Sequence, residues 1–86
     1  MSKYITCTFS AGMLPSEYAV TIKIEGRELS LFAPKTNVVV TDADSGRGLL
    51  EVQVVDGDHN VIGLPAEIFE LGRRFIEYPI EQLKSA

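Results

Sequence analysis

Hydrophobic and polar positions alternate along most of this chain, with the period of two that is typical of half-buried β-strands. The pattern is clearest over residues 18–25, where Tyr18, Val20, Ile22 and Ile24 share one face and more polar residues occupy the other. Similar runs, alternating or rich in β-branched residues, occur at 4–10, 28–33, 38–41, 49–55, 61–64 and 74–80. The pattern therefore predicts six to eight short strands.

Turn-forming residues separate these runs at short intervals. Gly26-Arg27 lies between two of them, and Asp56-Gly57 is a common hairpin dipeptide. Because tight hairpins join antiparallel strands, whereas parallel neighbours need long crossovers, we expect a largely antiparallel sheet. The predicted fold is mainly β, a small antiparallel β-barrel or sandwich with at most one or two helical turns near the C-terminus. Residues 66–71, which follow Pro65, fit either a helical turn or a strand.

The length of the chain limits it to one domain. We expect all 86 residues, 1–86, to form a single compact β-domain. A chain of this size buries only about 60% of its surface on folding, so its stability margin is small. A partner subunit would add buried surface and therefore stability.

The charge balance narrows the range of partners. Twelve Asp and Glu residues outnumber eight Lys and Arg residues, which gives a net charge of −4. Binding to nucleic acids or to anionic membranes depends on clustered basic residues, so we expect neither. The sequence holds no apolar run near the ~18 residues of a membrane span and starts with none long enough for a signal peptide, which favours a cytoplasmic location.

The chain contains one cysteine, Cys7, and one histidine, His59. A single cysteine excludes a disulfide within the chain, and the two residues are too few for an ordinary zinc site. Cys7 lies mid-strand on an apolar face, where thiols are commonly buried, and His59 lies in a predicted turn. Because neither has a recognisable catalytic partner, we expect no enzyme activity and no cofactor.

The acidic turn at 56–60 carries the most specific pattern of candidate metal ligands. Four side chains match positions one, three, five and twelve of an EF-hand calcium loop: Asp56, Asp58, Asn60 and Glu67. Val61 stands where that loop requires glycine, and the flanking segments are predicted strands rather than helices. The two interpretations are a divergent calcium site and a plain hairpin turn. A second acidic loop, at 42–46, also offers carboxylates to a hard cation.

Large apolar residues also occupy the face that the alternation directs away from the core. Four of them are candidates for a contact surface: Phe32, Leu49, Phe75 and Val39. Several strands with apolar groups on both faces indicate a second buried surface. A homodimer would supply that surface. The alternative is a closed barrel that buries these residues within one chain.

Together these patterns predict a non-enzymatic small β-domain that acts through protein–protein contact. We expect it to be a homo-oligomer, most simply a dimer. The alternative function is a small β-barrel that binds a ligand or a metal ion through its acidic turn loops.

Overall fold

Strands dominate the computed structural model, which describes residues 3–85. Within that range there are seven: β1 (Lys3–Ala11), β2 (Glu17–Ile24), β3 (Arg27–Pro34), β4 (Val38–Asp42), β5 (Arg47–Asp56), β6 (Val61–Ile68) and β7 (Arg73–Glu77). Two short 3₁₀ turns, Lys35–Asn37 and Ile80–Gln82, complete the regular structure of this range. The prediction of a mainly β fold is confirmed, although one helical turn precedes β4 instead of lying near the C-terminus. No helix within residues 3–85 has the length and apolar composition needed to cross a membrane.

The strands form one antiparallel sheet in the order β3-β2-β1-β5-β6-β7, with β4 paired to β5 outside this path. β1 pairs with β5 over residues 3–8 and with β2 over residues 8–11. β5 is shared among three neighbours: its first half pairs with β1 and β4, and its second half pairs with β6. The sheet curls into a half-barrel, which confirms the predicted antiparallel arrangement and corresponds to the barrel rather than the sandwich.

The β2–β3 hairpin shows how local sequence sets the register. Glu25 and Gly26 both have positive φ, 51° and 77°, as in the two-residue type I′ turns that suit twisted hairpins. Ile24 therefore pairs with Arg27, and the turn lies one residue earlier than the sequence indicated. In this register the alternating apolar residues of the two strands meet on the same face.

The core contains most of the inward positions that the alternation predicted, with Val54 as an exception. Each of the seven strands contributes at least one buried apolar side chain. The largest fully buried side chains are Ile22, Leu31, Leu50, Ile62, Leu64, Ile68 and Val20. Full burial of an aliphatic side chain of this size contributes roughly 1.5–3 kcal/mol, so this cluster is the main source of stability.

Strand β6 settles the ambiguity of residues 66–71. It continues through Pro65 to Ile68, and a turn follows. The pairing of β6 with β7 is interrupted between Gly63 and Ile68. Pro65 lies in this gap, so its lack of an N–H group removes no hydrogen bond between the two strands. Gly72 then takes a positive φ of 66° at the end of the turn. Neither periodicity nor propensity showed that a strand could pass through this proline.

The turn after β6 closes the sheet against the outer edge of β3. The backbone N–H of Phe69 donates a 2.9 Å hydrogen bond to the carbonyl oxygen of Ser30. In return, the Ser30 N–H donates to Oε1 of Glu70 at 2.7 Å. This backbone hydrogen bond is the main reason that the pKa of Glu70 lies below its ordinary value. The contact satisfies backbone groups of β3 that would otherwise be left open at a sheet edge.

The C-terminal segment returns to β1. The backbones of Tyr4 and Lys84 exchange two hydrogen bonds, of 2.9 and 2.8 Å, and Leu83 is buried beside them. β7 ends at Glu77, three residues before the predicted end of this strand at residue 80, and Pro79 precedes the second 3₁₀ turn. The chain thus covers one end of the core with its own tail.

We expect Gly48→Ala to destabilise the fold by roughly 1–3 kcal/mol, the usual cost of overpacking. A Cβ at this position would lie 2.8 Å from the carbonyl oxygen of Val39 and 3.3 Å from Cγ1 of Val38, so β4 would have to move. Gly57→Ala is the matched control, since its Cβ would meet only Cγ1 of Val54 at 3.9 Å. Urea unfolding of both variants measures the difference, and equal midpoints would contradict the prediction.

The Glu70 carboxylate should make stability depend on pH in acid. Its folded-state pKa is lowered, so its contribution is present above the unfolded-state pKa and is lost as the pH falls through the folded value. We expect Glu70→Gln to lose less stability than the parent chain between neutral pH and about pH 3, which lies below the ordinary Glu pKa of about 4.3. Urea midpoints across this range test it, with Glu67→Gln as the control on an exposed position. Parallel profiles for the parent chain and Glu70→Gln would show that the contact does not contribute.

Candidate interaction surface

Two of the four predicted contact residues, Val39 and Leu49, lie side by side. They are cross-strand partners in the β4–β5 pairing, so both side chains lie on the outer face of the sheet. On its other side Leu49 pairs with Thr6 of β1, a polar residue, so the apolar pair does not extend onto β1. Val39 is exposed and Leu49 is half-buried. The pair stands at the margin of the sheet, because β5 is the only strand of residues 3–85 that pairs with β4.

A second exposed apolar side chain, Val40, points to the other face of β4. Its cross-strand partner is Gly48, which has no side chain to cover it. Val40 therefore remains 43% exposed, whereas Val38, on the same face, is buried against Leu50. The exposure of Val40 could not be identified from the sequence, because it follows from the register of β4 against β5.

Phe32 is separate from this edge. Its ring packs edge-on against Phe69, with 5.1 Å between ring centroids and an interplanar angle of 73°. β2 and β1 lie between β3 and β5, which amounts to about 14 Å of sheet at about 4.8 Å per strand. Phe32 is thus half-covered within its own chain and does not join Val39 and Leu49.

Phe75 forms a third apolar site, on β7. Its ring lies over Gly63 of β6, where a Cβ would come within 3.3 Å of both the Phe75 ring and Cγ2 of Val55. Phe75 and Val55 are both exposed and are neighbours across this glycine. The Arg74 guanidinium lies 4.8 Å from the centre of the Phe75 ring, so this apolar site has a positively charged rim.

Other exposed apolar residues were not identified from sequence. They are Met13, Leu14, Val54, Val55 and Phe69. Alternation along β5 predicts that Val54 points inward with Val52, but Val54 is 42% exposed. Val54 pairs with Ile62 at the end of the regular β5–β6 register, which shifts between Val54 and Asp56.

In the acidic turn at 56–60, which suggested a calcium site, the Asp56 carboxylate accepts hydrogen bonds within the turn. Oδ1 of Asp56 accepts hydrogen bonds from the backbone N–H groups of Asp58 and His59 at 3.1 and 3.3 Å. Oδ2 of Asp56 lies 2.8 Å from Nδ1 of His59, whose side chain is 78% exposed. The second acidic loop has the same form, with Oδ1 of Asp42 accepting from the N–H groups of Asp44 and Ser45. Both loops are turns stabilised by their first aspartate.

The remaining predicted ligands lie elsewhere. Oδ1 of Asn60 accepts a hydrogen bond from the backbone N–H of Ile80 at 3.3 Å, which ties this turn to the C-terminal segment. Glu67 is near the far end of β6, at roughly 3.3 Å per residue about 20 Å of extended chain beyond Val61. Within residues 3–85, no three His, Cys, Asp or Glu side chains are grouped so as to hold a metal ion.

Comparison with known proteins yields no relative for this chain: no family model matches it, and no curated protein or solved structure is significantly similar to it.

Proposed function

We propose that this chain is a non-enzymatic β-domain that acts through protein–protein contact and that its partner is a second copy of itself. The observation that carries the proposal is the pair of apolar side chains, Val39 and Leu49, next to each other at the open margin of the sheet. Such a margin offers both hydrophobic area and unpaired backbone groups to a partner.

The composition of the β4 edge supports this proposal. Soluble proteins usually protect an edge strand with charged residues or proline, yet β4 reads Val-Val-Val-Thr before its first charge at Asp42. Val39 forms an apolar surface with Leu49 on the outer face, and Val40 is exposed on the opposite face. Covering that surface would also add to the small stability margin of a domain this short.

The environment of Cys7 supports a non-enzymatic role. Its thiol is buried mid-strand, and burial raises its pKa to about 11, so it is protonated and not nucleophilic near neutral pH. His59, at an exposed turn tip, has Asp56 as its one side-chain partner among residues 3–85. A free, unpaired Cys7 also suits the reducing cytoplasm in which we place the protein.

The acidic surface supports a protein partner over a nucleic acid. The net charge of −4 provides little of the positive potential that phosphate binding requires. Two neighbouring arginines, Arg73 and Arg74, engage Phe75 within the chain: Nε of Arg73 donates to the Phe75 carbonyl oxygen at 3.2 Å, and Arg74 lies over its ring.

Sedimentation of the full chain tests the proposed self-association. We expect the weight-average mass to rise from 9.4 kDa toward twice that value as concentration increases. The useful range is about 1 to 500 µM, which brackets a micromolar dissociation constant. Because a partner that binds only the folded state stabilises it, the melting temperature should rise over the same range. A constant mass of 9.4 kDa up to about 1 mM would refute the proposal.

Thiol labelling tests the buried state of Cys7. At pH 8 a thiol with a pKa of about 11 should react about 200-fold more slowly than an unfolded cysteine with a pKa near 8.5. The same pKa difference predicts that its contribution to stability is present below about pH 8.5 and declines as the pH rises toward 11. The control is the same chain unfolded in urea. Equal labelling rates in the folded and unfolded chain would contradict a buried, protonated thiol.

A further inference from the structure

The path of paired strands ends at β3 and β7, and β4 forms a further edge beside β5. β7 carries charged side chains of the kind that protect an edge: Arg73, Arg74 and Glu77. β3 is closed by the turn after β6, through the hydrogen bonds between Ser30 and residues 69–70. β4 pairs with β5 alone among the strands of residues 3–85. In an antiparallel edge strand every second residue directs its N–H and C=O groups away from the sheet. The unpaired side of β4 is therefore a template for one more strand.

We propose that β4 pairs antiparallel with β4 of a second copy, about a two-fold axis at Val39, to join two half-barrels into one continuous sheet. This inference rests on the proposed self-association and specifies its geometry. A two-fold axis requires each copy to use the same surface, and an edge strand pairing with itself satisfies that requirement.

The side chains of β4 fit this register on both faces. On the outer face, Val39 of one copy meets Val39 of the other, and each has its own Leu49 on the far side. The result is an unbroken row of four apolar side chains across the dimer. On the opposite face, Val40 of one copy meets Val38 of the other. Val40 thereby gains the neighbour that Gly48 cannot provide.

Charge complementarity selects the antiparallel direction. Lys35 lies just before β4, and Asp42 and Asp44 lie at its end and beyond it. Antiparallel pairing brings Lys35 of each copy toward the aspartates of the other, and does so twice because of the two-fold axis. Parallel pairing would instead place Lys35 beside Lys35 and aspartates beside aspartates, which is destabilising.

Two lysine substitutions at equally exposed valines test the location of the contact. Val40 is 43% exposed and Val54 is 42% exposed, so both positions can accept a lysine while the core stays intact. A charge on the β4 edge opposes strand pairing. We expect Val40→Lys to weaken self-association at least about tenfold, equivalent to about 1.4 kcal/mol, and Val54→Lys to change it less than about twofold. Circular dichroism and urea midpoints confirm that both variants fold.

The outcomes of this test separate the two proposals. If Val54→Lys abolishes association and Val40→Lys preserves it, the chain self-associates through another surface and the β4 pairing is wrong. If the parent chain never associates, both the proposed function and this inference fail.

A charge exchange tests the direction of pairing. Asp44 is the better position to change, because Asp42 holds its own turn through two hydrogen bonds. Lys35→Glu and Asp44→Lys should each weaken association, by about tenfold as the summed effect of two exposed charge pairs. An equimolar mixture of the two variants should associate about as tightly as the parent chain, because the heterodimer has opposite charges at both contacts. If the mixture associates no better than either variant alone, the antiparallel arrangement is wrong. The comparison with each separate variant allows for any loss of stability that the substitution itself causes.

Discussion

The register of β5 is the constraint on which the rest of this structure depends. One strand of ten residues serves three neighbours: β1 and β4 flank its first half, and β6 pairs with its second half. Because side chains alternate with a period of two, a slip of one residue in β5 would turn Leu50 and Val52 out of the core. The same slip would displace Gly48 from the place where β4 comes too close for a side chain. The register of β5 therefore determines both which side chains enter the core and how β4 lies at the edge of the sheet.

The strands that could be predicted from sequence are those with one buried face and a short turn. β2 and β3 satisfy both conditions, since their alternation and the Glu25-Gly26 turn agree on one register. β6 could not be predicted to its full length. Its buried residues include three consecutive positions, 62–64, and it passes through Pro65, so neither its periodicity nor its composition is typical of a strand. Its limits come from β7 and from the contact of the following turn with β3, which are tertiary effects.

The positions of the exposed apolar side chains were partly predictable for a related reason. Counting which face each residue occupies was enough to select Val39 and Leu49, and the structure places them together. The same count could not reveal that Phe32 packs against Phe69, a residue from the far end of the chain. Nor could it identify Val40, whose exposure depends on facing a glycine across the strand pair. Alternation specifies the face of a residue, whereas neighbours in space determine whether that face is covered.

The acidic charge of the chain bears on how two copies would meet. Two molecules of net charge −4 repel at long range, but at physiological ionic strength that repulsion is screened beyond about 8 Å. Within that distance the local arrangement of charge matters more than the total. β4 is preceded by Lys35 and followed by Asp42 and Asp44, so its two ends carry opposite charges. Opposite charges at the two ends of β4 disfavour parallel pairing between copies. A single antiparallel partner would occupy the whole β4 edge, so further copies could not add to that edge. An exposed edge strand rich in valine favours aggregation, and pairing with one other copy would cover that edge.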